Sequence, residues 1–314
     1  MTTLQFGWVL PPGYNAAKDD ATLRAQGGDS DNLAARWEPA IRRVLETISG
    51  QWDSAWMTDH FFWPDGDCLE ALSALAFYAA LTPRLRWGTM VLGQGYRNPA
   101  LTAKMASTIH YLSGGRFICG IGAGWKKDEY EAYGYPFPTP GRRVAELEDA
   151  VTIIKRMWAE ASVTHAGKYL SAAGAVNQPQ TPGAPVLMIG GGGEQKMLPL
   201  VARHADWWNS GAQGEVRARK LEILKRECAA NGRDFATLRN TWFGGETVGR
   251  TDDEVQHRLR DDFVRNNGIW GTPDEVLSKF DALAKSGVSY IMCDSRGIPE
   301  AGELELLIDV SRRV

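Results

Sequence analysis

Eight times along this 314-residue chain a short apolar run gives way to a segment with helical periodicity, and that alternation restricts the fold more than any other property. The apolar runs are residues 4–10, 54–58, 85–92, 116–121, 185–189, 205–209, 238–248 and 288–293. The helical segments between and after them are 33–48, 68–81, 98–112, 142–160, 194–204, 215–231, one opened by Thr272-Pro273, and 300–312. Strands separated by helices pair in parallel. Eight such units in about 300 residues fit a (β/α)8 barrel better than an open doubly wound sheet. Three stretches interrupt the rhythm. Residues 14–32 read as a long polar excursion after strand one, residues 161–184 as an irregular Ala-, Gly- and Pro-rich segment before strand five, and residues 251–269 as a charged insertion after strand seven. No shift in composition marks a second domain, so residues 1–314 read as one α/β barrel.

In such a barrel the ligand site lies at the C-terminal ends of the strands, and the unusual residues fall there. Gly114 to Trp125, GGRFICGIGAGW, reads as turn, buried strand and glycine-rich end, followed by a polar helical start at 126–131. Gly120, Gly122 and Gly124 remove side chains where a flat ligand or a phosphate can approach the backbone; tight strand packing alone would ask for the same glycines. The spacing departs from the Gly-x-Gly-x-x-Gly dinucleotide fingerprint. Gly190, Gly191, Gly192 and Gly193 follow strand five and precede a helical segment. That is a seat for phosphate on free N–H groups and a helix N-terminus, or else a flexible loop. Asp59-His60 ends strand two, and a histidine there can exchange a proton near neutral pH. Trp63 and Trp125 suit either the wall of that cavity or the core.

Composition narrows the partners. Net charge is −3 with both signs interspersed, so nucleic acid is not expected. No apolar stretch reaches the ~18 residues of a membrane span, and the first residues lack the pattern of a signal peptide, which points to the cytoplasm. Cys68, Cys119, Cys228 and Cys293 lie far apart and read as buried free thiols, and the five histidines show no metal-binding spacing, so no metal is expected.

Three segments carry a resemblance. They are SAWMTDHFF at 54–62, GTMVLGQGYRNPALTAKMASTIHYLSGGRFICGIGAGW at 88–125, and PVLMIGGGGEQKMLPLVARHADWWN at 185–209. With the stretch reaching Tyr133-Gly134 they resemble the bacterial luciferase-like superfamily of flavin- and deazaflavin-dependent barrels, and more closely its coenzyme F420-dependent oxidoreductase branch. The last hundred residues resemble it only in element order. The resemblance implies a homodimeric luciferase-like TIM barrel with a tricyclic cofactor in its mouth. Asp59 would bond the deazaflavin, and His60 would be the catalytic acid. Met90 and Val91 would form a bulge behind the ring, joined by a non-proline cis peptide in related enzymes. Gly93, Gly122, Ala123, Gly124 and Asp128 would line the cofactor, and Gly190 to Gly193 would take its phosphate. It further implies hydride transfer between F420 and a small organic substrate, with a flavin or F420 reductase as redox partner. The alternatives are a two-component monooxygenase using reduced FMN and O2, and a non-catalytic flavin-binding protein. In the superfamily's sugar-phosphate dehydrogenases a catalytic Glu follows the fourth-strand glycines. Here Trp125 stands in that place and Asp128 replaces an Asn, so their glucose 6-phosphate chemistry does not carry over.

Overall fold

The computed structural model describes residues 4–27, 32–180, 182–259, 261–294 and 296–314. Eight parallel strands close a barrel: Gln5–Val9, Ser54–Met57, Arg86–Thr89, Phe117–Gly122, Val186–Gly190, Trp207–Asn209, Arg239–Val248 and Tyr290–Asp294. Each pairs with the next in sequence. Closure comes where Trp8 meets Cys293, so that strand eight lies beside strand one.

Two apolar clusters result. The larger fills the space between strands and outer helices, and most of the twelve tryptophans serve the core; Trp8, Trp87, Trp208 and Trp242 are fully buried. The smaller, inside the barrel, includes Val9, Trp56, Ile118, Met188, Trp207 and Tyr290. Trp56, Trp207 and Tyr290 pack with ring centroids 5.1–6.3 Å apart. Gly88 makes this possible, because a Cβ there would lie 2.1 Å from the Trp56 ring. Ser54 accepts a hydrogen bond from Trp56 Nε1 at 2.6 Å, so the polar edge of the plug is satisfied.

Local signals account for the helix starts. Asn98 caps helix Pro99–Leu112 by accepting from Ala100 and Leu101 N–H, with Pro99 in the first turn. Thr272 and Glu275 form a capping box on helix Pro273–Lys285.

The three interruptions differ from their sequence reading. The polar excursion contains a helix, Ala16–Gly27, anchored by buried Asp19, which accepts from the N–H groups of Asn15 and Ile298; residues 28–31 of that excursion lie outside the described residues. The irregular segment before strand five contains an antiparallel hairpin, Val163–Ala166 with Ser171–Ala175. The charged segment after strand seven holds helices Asp252–Arg258 and Asp262–Asn267, then a further parallel strand, Ile269–Gly271, on the far end of Arg239–Val248. Strand three also resumes after a break, as Leu92–Gly93, beside Ile121 and Gly122. No helix among the described residues is long and apolar enough to cross a membrane.

Candidate active site

The strand ends surround a cavity of about 440 Å3. The break in strand three shapes one wall: the Met90–Val91 peptide is cis, and the Val91 side chain fills the space that Gly122 and Gly190 leave open. A Cβ on Gly122 would meet Val91 Cγ2 at 2.9 Å, and one on Gly190 would meet Val91 Cγ1 at 3.0 Å. Of the residues expected from sequence, Asp59, His60, Met90, Val91, Gly93, Gly122, Ala123, Gly124, Gly190, Gly191 and Gly192 line this cavity. Two do not. Asp128 projects outward at the start of a short helix, its exposed carboxylate 2.6 Å from Lys126 Nζ. Gly193 turns its carbonyl to the N–H groups of Met197 and Leu198 and so serves the following helix. That helix, Met197–His204, begins three residues later than the sequence suggests, so the glycines form a loop rather than its first turn.

Asp59 is buried and its carboxylate is occupied. Arg97 approaches both oxygens at 2.8 Å, and the Gly93 N–H donates to Oδ2 at 2.9 Å. The pair fixes the resumed strand against the barrel.

His60 meets a partner that the sequence reading missed. Its Nδ1 lies 3.1 Å from Oε2 and 3.3 Å from Oε1 of Glu129, whose side chain is wholly buried. Glu129 also accepts from the Tyr96 hydroxyl at 2.7 Å and from the N–H groups of Phe61 and Phe62 at 2.9 and 3.3 Å. Burial opposes its ionisation. The Tyr96 and Phe61 hydrogen bonds and the imidazole together outweigh burial and hold the carboxyl below its ordinary value. An ionised Glu129 can only accept, so the proton between them sits on Nδ1 and Nε2 is the ring nitrogen left for exchange. The ring packs 4.6 Å from Trp63 and 5.6 Å from Trp125. Trp125 is two-thirds exposed and stands on the rim. Cys68 donates its thiol to the His60 carbonyl, and burial with the charges of Glu129 and Asp59 pushes that thiol up to about 12, so it stays protonated.

The glycine loop has cationic neighbours on helix Gly214–Ala230. Lys220 Nζ bonds the Gly192 carbonyl and would lie 3.1 Å from a Cβ there. One turn earlier, Arg217 is fully buried over the Trp208 ring, with its three guanidinium nitrogens lacking a hydrogen-bond partner. Burial lowers its pKa to about 10. Trp208 in turn donates to the Gly191 carbonyl at 2.7 Å. Neither cation stands out in the sequence, since both sit among several other charges on one helix. Among the described residues no group of three or more His, Cys, Asp or Glu side chains is placed to hold a metal ion.

Residues 5–261 match the family model described as luciferase-like monooxygenase. The F420-dependent glucose-6-phosphate dehydrogenase of Kineococcus radiotolerans is 40% identical over 146 residues, 45% of this chain but only 43% of that enzyme. The phthiodiolone/phenolphthiodiolone dimycocerosates ketoreductase of Mycobacterium tuberculosis is 28% identical over 96% of this chain and 78% of its own length. Among solved structures, the EDTA monooxygenase of Chelativorans sp. superposes with a TM-score of 0.80 at 16% identity, covering 99% of this chain and 94% of that one, a likeness of fold.

Proposed function

The chain belongs to the luciferase-like monooxygenase family, and from that premise we propose that it is an oxidoreductase moving hydride between coenzyme F420 and a small organic substrate, with His60 handling the accompanying proton. The observation that carries the reading is the His60–Glu129 pair at the edge of the strand-end cavity. A buried, ionised carboxylate on Nδ1 fixes the tautomer and stabilises the imidazolium, which is what a general acid or base requires.

The residues present fit a phosphorylated tricyclic cofactor. Gly122 and Gly190 let the Val91 side chain stand at the back of the cavity, and the cavity has the size of a cofactor site. The ammonium of Lys220 stands at the glycine loop, and the unpartnered guanidinium of Arg217 lies behind it on the Trp208 ring. In this reading Gly190 to Gly192 and Lys220 hold the phosphate, and Asp59 acts through Gly93, whose N–H it orients. Val91 backs the ring system. Bound there, the deazaflavin supplies the carbon that gives or takes hydride. His60 Nε2 holds or accepts the substrate proton, and Glu129 keeps that nitrogen aimed.

The F420 dependence of the Kineococcus relative supports the deazaflavin over FMN. The family's own description favours a second reading, a monooxygenase using reduced FMN and O2. Anaerobic titration with each reduced cofactor, followed by air, separates the two. Tight F420 binding without rapid O2 uptake is expected. Tight binding of reduced FMN with rapid O2 consumption would overturn the assignment.

A further inference from the structure

His60, Met90, Trp125 and Phe243 form a wall with two sides. One side faces the cavity described above; the other faces a chamber of about 460 Å3. The far walls of that chamber are largely apolar: Leu10, Pro11, Pro12, Trp63 and Phe263. Its charged residues are mostly acids, Asp19, Asp65, Asp67 and Asp294, against two cations, Lys18 and Arg296. Both cations are already engaged. Arg296 lies 3.0 Å from Asp294 and 3.3 Å from Asp261, and Lys18 lies 3.9 Å from Asp261. Two lining residues, Thr58 and Asn15, present buried oxygen atoms, Oγ1 and Oδ1, that have no hydrogen-bond partner. Buried polar groups are seldom left unsatisfied, and both residues belong to the lining of the chamber.

We propose that this chamber admits an uncharged alcohol or carbonyl compound with apolar substituents, its oxygen recognised by His60 and Thr58, and that it excludes phosphorylated substrates. The inference rests on the reading that the adjoining cavity holds a hydride carrier. In the oxidative direction the carbinol C–H bond breaks and its electron pair leaves as hydride for the carrier. The O–H proton passes to Nε2 of His60, and a C=O bond remains. Reduction of the carbonyl reverses both transfers. The apolar walls hold the substituents, and the Thr58 hydroxyl supplies a hydrogen bond to the same oxygen. A phosphate dianion would face several carboxylates with no uncommitted cation, and the apolar walls offer nothing to replace its hydration.

Saturation-transfer NMR on the full chain tests this, with cyclohexanone and a hexose phosphate as probes, in the absence and presence of F420. Cyclohexanone should bind and the hexose phosphate should not. Thr58→Val should weaken cyclohexanone roughly threefold to tenfold, the effect of one lost hydrogen bond, while F420 affinity, read by fluorescence titration, stays unchanged. Phe263→Ala, on the chamber's exposed rim, gives a second variant that should also weaken cyclohexanone without disturbing the core. Hexose phosphate binding as well as cyclohexanone, or cyclohexanone binding untouched by both substitutions, would overturn the proposal. Failure of F420 to bind in the fluorescence titration overturns the cofactor assignment instead, and the chamber is then judged on the probe signals from the free chain.

Discussion

The imidazole of His60 and the carboxylate of Glu129 are held 3.1 Å apart although 69 residues separate them, and the carboxylate has no exposure to solvent. Two strand ends create that contact: His60 follows strand two, and Glu129 sits in the short helix Lys127–Ala132 beyond strand four. Because the Phe61 and Phe62 N–H groups and the Tyr96 hydroxyl fix Glu129, it serves as a positioning group for the histidine. Glu129→Gln retains an acceptor oxygen but removes the charge. The expected result is a fall in kcat of roughly tenfold to a hundredfold, about 1.4–2.7 kcal/mol in the barrier, with little change in KM. The pH–rate profile should shift as well, because the imidazolium loses its counter-charge. An unchanged profile with lower thermal stability would reduce Glu129 to a structural part.

His60→Ala removes the proposed proton carrier and leaves the glycine loop and Val91 in place. General acid–base groups contribute about 10²–10⁴-fold, so kcat should fall by that range while cofactor affinity changes little. The limb of the pH–rate profile written by the imidazole should disappear. Turnover near the native rate with any accepted substrate would show that His60 does not move the proton.

The proposed phosphate seat can be tested from both sides. Gly191 has φ +141°, a backbone conformation that side chains rarely adopt, and a Cβ would press on Met197 Cγ at 3.0 Å. Gly191→Asp therefore places both strain and negative charge in the loop. Lys220→Ala removes a cation and its bond to the Gly192 carbonyl, with no residue of the loop itself changed. Charge-assisted hydrogen bonds contribute about 1.5–3 kcal/mol, so each substitution should weaken the phosphorylated cofactor roughly tenfold to a hundredfold. Lys220→Ala should do so with an unaltered circular dichroism spectrum. Affinity unchanged from the native chain in both variants would move the phosphate elsewhere.

The barrel was legible because its evidence is repeated and local: eight apolar runs, eight helical partners, and caps such as Asn98-Pro99 that operate within one turn. The glycine positions were legible because a missing side chain is visible in sequence. Glu129 was not. In the string Lys126 to Glu131 it is one of several charged residues on what reads as a solvated helix start, and its complete burial arises only where the Tyr96 hydroxyl and the Phe61 N–H converge on it. Lys220 and Arg217 escaped for the same reason, being single charges on a charged helix whose inward face depends on packing. Asp128 failed in the opposite sense: chosen by its place beside a motif, it was turned outward by a helix that presents its neighbour, Glu129, to the interior. The polar composition of the insertion after strand one reads as a long excursion, yet helix Ala16–Gly27 is fixed by Asp19 accepting from the distant Ile298 N–H, a contact no local pattern displays.

Glu303, at the start of helix Glu303–Ser311, gives the chain a pH-dependent stability that does not involve the His60–Glu129 pair. Burial raises its carboxyl from 4.5 to about 7, against the opposing pull of Arg258 and the Glu300 N–H. A folded-state value above the unfolded one means that folding is favoured by the protonated form. Below about pH 4.5 the group is protonated in both states and the advantage is complete. As pH rises toward 7 the unfolded chain ionises first, and the advantage is lost progressively until the folded form also ionises. Allowing for partial exposure, the loss is on the order of 2 kcal/mol. Glu303→Gln stays neutral throughout and keeps an oxygen for the Glu300 N–H, which now donates at 3.2 Å. Urea unfolding of the two proteins should therefore give stabilities that are close in mild acid and diverge toward slightly alkaline pH, with the variant the more stable there. Parallel stability curves across that range would show that Glu303 ionises alike in the folded and unfolded chain.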